Sequence, residues 1–398
     1  MRRQNAIHVL LAALVPALFG LAACLTVRTR PVAELPAVDQ LPAIKELPDP
    51  FLMNSGKRVA TKADWLKRRA EIKDIVLYYE YGHPAPAPRN LKAIERTVSR
   101  SKMADATEEQ VLLSMGPGRK AAFHLILTIP EGKGPFPAIV KGDLSWGRVS
   151  TSVLTAAAQR GYIVAEFNRT EVAPDSRDQS KGARPLYPDS DWAVLAAWAW
   201  GFHRVADYLT TMDCVDHERI AVTGHSRGGK AALLAGALDE RIALTAPNGS
   251  GCGGAGCYRI LGEKSEDVAA ILKNFPFWFH PRLKEFIGRV DQMPFDQHYV
   301  KALVAPRALL STEALGDLWA NPLGTQQTHL AAKQVYAFLG ASDRIGIHFR
   351  QGKHDQNDED WRALLDFADQ QFFNKKVETK FDALAFPDAP KVFTWSAP

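Results

Sequence analysis

The heptapeptide GHSRGGK, Gly224 to Lys230, joins the apolar run RIAVT to the helix-forming stretch AALLAGAL. A chain that passes from strand to helix over so few residues needs backbone freedom at the turn, which glycine supplies. Two templates fit. Gly224-His225-Ser226-Arg227-Gly228 is G-x-S-x-G, the sharp elbow that lifts a serine hydroxyl above a sheet. Gly224 to Lys230 is also G-x-x-x-x-G-K, the start of a phosphate-binding loop. That loop next requires Ser or Thr to hold Mg²⁺, and this chain has Ala231.

An elbow serine needs an acid after a later strand and a histidine after a further one. The strand-like RALLSTE (307–313) is followed by ALGDLWANP, which offers Glu313 and Asp317. The strand-like RIGIHFRQ (344–351) is followed by GKHDQND, which offers His354. A phosphate loop explains neither. Asp317 is favoured because it lies past its strand in a Gly-preceded loop; Glu313, at the strand end, is the alternative. His280 and His298 precede the acid loop, His329 is placed at a helix start, and His348 falls inside a strand. His225 reads as a structural neighbour of the serine.

Two cations in the first turn of a helix oppose the usual preference for anions there. An ester attacked by Ser226 becomes an oxyanion, and a guanidinium at Arg227 would stabilise it in a partly dry site. Ser226 and Lys230 are four residues apart, so both can face one pocket. Local rules broken together are expected at functional sites.

Strand-like and helix-like segments alternate along the chain. AAFHLILTIP (121–130), FPAIVKGD (136–143), YIVAEFN (162–168) and RIALTAPN read as strands, the first two joined by a hairpin or short connection. KADWLKRRAEIKDIVLYYEYG, SVLTAAAQRG (152–161), the long segment 191–212, THLAAKQVYAFLG (328–340) and 358–373 read as helices. The alternation implies an α/β fold, a mostly parallel sheet covered by helices on both faces.

The N-terminus carries Arg2 and Arg3, an apolar run too short and too broken for a membrane span, and LAAC at 21–24. Residues 1–23 are expected to be a signal peptide of lipobox type, with Cys24 lipidated. This places the protein outside the cytoplasm, as a periplasmic or outer-membrane lipoprotein of a bacterium. Residues 24–50, with five prolines from Pro31 to Pro50, are expected to be an extended tether. Residues 51–398 form the catalytic domain. The net charge is +5, Arg2 and Arg3 included, and there is no basic tract with interleaved aromatics, so nucleic acid is not an expected partner. The cysteines lack zinc spacing; Cys252 and Cys257 form a disulfide or stay as buried thiols.

The stretch GHSRGGKAALLAGALDERIAL, together with WLKRRAEI, EYGHPAP, AAWAWGFHRVADYL, SGCGGAGCYR, FPFWF, PFDQH and DLWANP, resembles the glucuronoyl esterases over most of 51–398. The resemblance implies an α/β-hydrolase three-layer sandwich that cleaves esters of 4-O-methyl-glucuronic acid on glucuronoxylan, needing no metal or cofactor. By position it implies Ser226 as nucleophile, His354 as base, Arg227 at the oxyanion, Lys230 on the sugar hydroxyls and Trp319 on the glucuronoyl ring. Many members carry the acid as Glu in an N-E-S-G-type segment. Here that segment is Asn248-Gly249-Ser250-Gly251, and the acid falls to the later-strand position, Asp317. The rival readings are a carbohydrate acetyl esterase and a non-catalytic glycan-binding lipoprotein.

Overall fold

The structure is a computed structural model that describes residues 35–102 and 105–398. The expected signal peptide, residues 1–23, and the expected lipidation site, Cys24, lie outside the described residues. A nine-stranded sheet runs through the described chain. Its strands are β1 (Lys92–Arg100), β2 (Ala106–Met115), β3 (Ala121–Pro130), β4 (Phe136–Lys141), β5 (Ile163–Phe167), β6 (Val215–His225), β7 (Ile242–Asn248), β8 (Ala308–Ala314) and β9 (Ile345–Arg350). Their order is β1-β2-β3-β5-β4-β6-β7-β8-β9. The β1-β2-β3-β5 pairs are antiparallel, and every pair from β5 to β9 is parallel.

The parallel strands are apolar on both faces, and side-chain alternation divides them between two cores. Ala138 and Val140 of β4 and Ile163 and Ala165 of β5 enter one core. The intervening Ile139 and Val164 enter the other. The first core is closed by helices that include α1 (Lys62–Val76), and the second by α2 (Thr151–Gln159). A single turn, α3 (Arg169–Val172), precedes α4 (Val194–Leu209), which joins α5 (Arg227–Leu238) on the first side. The short α6 (Val268–Asn274), α7 (Gln297–Val304) and α8 (Pro322–Leu339) complete that layer, and α9 (Asp358–Phe373) packs with α2 on the opposite face. The expected three layers are present.

Three expectations are corrected. The segments 121–130 and 136–143 are strands joined by a short connection, one of the two expected options, but they do not pair as a hairpin: β5 lies between β3 and β4. Strand β4 is buried from Pro137 to Val140, so it takes two parallel neighbours in the interior of the sheet. Helix α8 begins at Pro322 rather than 328, because Asn321 accepts the Gly324 N–H as cap and Pro322 suits the first helical position. His329 therefore lies inside the helix. Third, residues 35–50 are not a free tether. Val38, Leu41 and Leu47 are buried, Leu47 N–H bonds Val392 O, Trp395 Nε1 bonds Leu47 O, and His298 meets Pro48 O. The Leu-Pro pattern that suggested a linker supplies apolar anchors for the first core.

Each of those three apolar side chains contributes about 1.5–3 kcal/mol by burial. A protein beginning at residue 51 should therefore melt several degrees below one beginning at residue 35. Coincident melting curves in a calorimeter would restore the tether reading.

Candidate active site

Strand β6 ends at His225, and Ser226 takes φ 55° and ψ −122° before α5 begins. A non-glycine residue in this region is strained. The flanking glycines are required by contact. A Cβ on Gly224 would lie 2.4 Å from Gly228 O, and one on Gly228 would lie 1.9 Å from Asp143 Oδ1. Asp143, just past β4, accepts the His225 N–H at 2.9 Å and is paired with Lys141 and Arg169. Burial opposes its charge, but Lys141 and Arg169 outweigh burial and hold its pKa below the ordinary value. The Ser226 N–H bonds Asn248 O at 3.0 Å.

His354 Nε2 lies 2.9 Å from Ser226 Oγ, and His354 Nδ1 lies 2.5 Å from Asp317 Oδ2. A carboxylate on Nδ1 requires the proton there, which leaves Nε2 to accept from the serine. The acid and base loops are tied by their backbones: Leu315 N–H bonds Arg350 O, and Gly316 N–H bonds Gly352 O. Gly316 has no room for a side chain, since a Cβ would sit 2.4 Å from Gly352 O. Arg350 bonds Asp360 and Asp355 O, and Gln356 bonds both Lys141 and Thr223, so the His354 loop is fixed at several points. Glu313, the alternative acid, is buried behind this pair and accepts from Thr325 Oγ1. Burial pushes its pKa up to about 8. It makes no hydrogen bond to His354.

Gly249 has φ +46°, and a Cβ there would point into the same space, 3.6 Å from Asp317 Oδ2 and 3.4 Å from His225 Cε1. A side chain at 249 would thus enter the space beside the Asp317 carboxylate that bonds His354. His225 bonds Asn248 Oδ1 through Nδ1 and packs on His354 with ring centroids 4.4 Å apart. Burial first, then the charge on His354, brings its pKa down to about 4, so it stays neutral beside the base.

Arg227 is held at the start of α5 by Asp175, Nη1 to Oδ2 at 2.7 Å, and lies over Trp278 and Phe275 at 4.6 and 4.9 Å. Trp278 Nε1 bonds the other oxygen of Asp175 at 2.8 Å. Lys230 is buried and donates to Ser250 O and Cys252 O. Its pKa is lowered by burial, with Glu266 opposing. Trp319 is 49% exposed beside Asp317, and its carbonyl accepts the Glu266 N–H. Cys252 and Cys257 are unpaired and buried. A cavity of about 660 Å³ between α9 and the segment 378–385 includes none of these residues.

Asp143, Asp175 and Glu266 had no sequence signal of their own. FPFWF contains Phe275 and Trp278, but the motif does not reveal that they face Arg227.

Topology and site together define a carboxylic-ester hydrolase of the α/β-hydrolase kind. A family model described as glucuronyl esterase of fungi matches residues 114–340. The carbohydrate esterase MZ0003 of an unknown prokaryotic organism is 31% identical over 81% of this chain and 89% of its own. The solved glucuronoyl esterase of Caldicellulosiruptor kristjansonii superposes with a TM-score of 0.78, at 33% identity, over 91% of this chain and 99% of that one. A mutant glucuronoyl esterase from Sporotrichum thermophile, in complex with methyl 4-O-methyl-β-D-glucopyranuronate, gives 0.70 at 27% identity over 87% and 93%. The chain belongs to the glucuronoyl esterase family.

The proximity of positions 249 and 317 is testable. Asp317→Ala should lower kcat by about 10³–10⁴-fold. Adding Gly249→Glu should recover at least about tenfold of that loss. A double variant no faster than Asp317→Ala would show that the two positions do not serve the same imidazole.

Proposed function

We propose that this protein hydrolyses esters of 4-O-methyl-glucuronic acid on glucuronoxylan through a covalent acyl-enzyme on Ser226. The observation that carries the reading is the unbroken hydrogen-bond chain from buried Asp317 through His354 to the strained Ser226. His354 Nε2 takes the Ser226 proton as Oγ attacks the uronoyl carbonyl. The charge that develops on the carbonyl oxygen is stabilised at the start of α5, with the guanidinium of Arg227 adding to it. Collapse breaks the ester bond, and His354 delivers its proton to the leaving alcohol. Water then attacks the acyl-enzyme, with His354 again as base, releasing the uronic acid and restoring Ser226. Asp317 fixes the imidazole tautomer throughout.

Substrate choice is assigned to the β8 side of the serine. Trp319 offers an exposed aromatic face to a sugar ring. Lys230 braces the 250–252 carbonyls and retains one donor for a sugar hydroxyl. An acetyl group would use neither residue. The methyl 4-O-methyl-glucuronate bound by the Sporotrichum relative supports the same substrate class. We also propose that the protein is exported and tethered to a membrane through Cys24, on the strength of LAAC and the basic, apolar leader before it.

Free glucuronic acid should be released from benzyl glucuronate in preference to acetate from acetylated xylan, and Ser226→Ala should abolish the release. Acetate release alone would overturn the substrate, and the absence of both would favour a glycan-binding protein. Arg227→Ala should act chiefly on kcat, because its charge acts on the transition state. A pure KM effect would make it a binding residue.

A further inference from the structure

The base of the proposed reaction is the most exposed member of its triad. His354 sits on the loop after β9 with 42% of its side chain open to solvent, against 4% for Asp317. Hydrogen bonds at Nδ1 and Nε2 hold its ring. Two such bonds fix the line through the nitrogens and leave the ring free to pivot about that line. A third contact, on a face of the ring, is needed to stop the swing.

His225 supplies that contact. It closes β6, and its ring lies against His354 with centroids 4.4 Å apart and planes inclined by 47°. The His225 ring is itself tied down. Its backbone N–H donates to Asp143 Oδ2 at 2.9 Å, and its Nδ1 donates to Asn248 Oδ1 at 2.6 Å. Asn248 Nδ2 donates in turn to Thr312 Oγ1 at 2.9 Å. Asn248 faces His225 across the β6–β7 ladder and Thr312 across the β7–β8 ladder. The ring is thus anchored across the ends of three adjacent strands, while the loop it supports is largely exposed.

The same bonds fix its charge state. Asn248, oriented by Thr312, turns its oxygen toward Nδ1, so the neutral ring carries its proton there. Burial, then the charge on His354 and the ammonium of Lys141, oppose a second proton. The Asn248 bond and the Asp143 carboxylate favour one, and the balance leaves the pKa at about 4. An imidazolium at this place would repel the one that His354 becomes when it takes the serine proton.

Building on the proposed role of His354 as base, we infer that His225 is a positioning residue: a rigid, uncharged ring that walls the His354 imidazole onto the line between Asp317 and Ser226. An alanine would leave that face open. A phenylalanine keeps the flat wall but cannot bond Asn248, so it separates the wall from the tie between strands.

The test is the rate at which a fluorophosphonate labels Ser226, a reaction that needs the activated serine but no sugar. His225→Ala should slow labelling by about tenfold, and His225→Phe should stay within about threefold of the wild type, since small misplacements of a reacting pair are costly. With benzyl glucuronate the same ranking should appear in kcat, with KM within about twofold, because the wall acts on the reacting groups. The low-field proton resonance of the His354 Nδ1–H should persist in the wild type and the Phe variant and broaden in the Ala variant. Melting curves identify any loss of fold. If the Ala variant does not fold, the Phe variant and the titration of the wild-type His225 ring, followed by NMR, carry the test. Unchanged labelling in His225→Ala overturns the inference. So does a Phe variant as slow as Ala, which would give the effect to the Asn248 bond, or a loss confined to KM. A wild-type His225 ring that titrates near the ordinary histidine value overturns it as well. A wild type that is labelled but cleaves no glucuronate ester would defeat the proposed substrate, and the labelling series would still decide the role of His225. A wild type that is not labelled would overturn both.

Discussion

The left-handed turn at Ser226 is the constraint on which the site depends. A serine held at φ 55° stores on the order of 1–3 kcal/mol and persists only where its surroundings over-determine it. They do so here from several directions. Strands β4, β6 and β7 fix the strand end in parallel register, the backbone of Asn248 holds the Ser226 N–H, and Asp143 anchors the His225 N–H. Gly224 and Gly228 let these backbones approach closer than any side chain would permit. The strain presents the hydroxyl above the C-terminal edge of the sheet, where the β8 and β9 loops can reach it.

Charge is managed around that turn by pairing rather than exposure. Asp143 faces Lys141 and Arg169, Arg227 faces Asp175, and Lys230 lies among backbone carbonyls with Glu266 nearby. In the proposed mechanism, a guanidinium already oriented by Asp175 and the Phe275 and Trp278 rings needs little reorganisation when an oxyanion forms beside it, which is the condition under which fixed charge lowers a barrier most. Neutral His225 beside His354 serves the same end, because a second imidazolium would oppose the one that catalysis creates.

What could be read from the chain follows the range of the interaction. The elbow, the acid loop and the histidine loop were legible because each is a local pattern of glycine, apolar run and polar residue. Asp317 could be preferred over Glu313 because a residue past the strand end can reach an imidazole, whereas one within the strand is buried by the sheet. The β1–β2 hairpin gave no clear signal: KAIERTVSR is exposed along almost its whole length, so burial imposes little apolar alternation. The insertion of β5 between β3 and β4 is a pairing choice that no short window contains. The packing of 35–50 was misread because Leu-Pro repeats suit a spacer and an anchored strap equally well. The cage around Arg227 joins residues about 50 positions apart on either side of it, with no periodicity linking them.

The central claim is a covalent intermediate on Ser226, and its most direct test is to trap it. The enzyme would be mixed with excess benzyl glucuronate, quenched in acid on the millisecond scale and mapped by peptide mass spectrometry. The account predicts one glucuronoyl adduct, on the peptide that carries Ser226, formed together with a burst of benzyl alcohol and absent in Ser226→Ala. An adduct on another residue, or turnover that persists in Ser226→Ala, would contradict it.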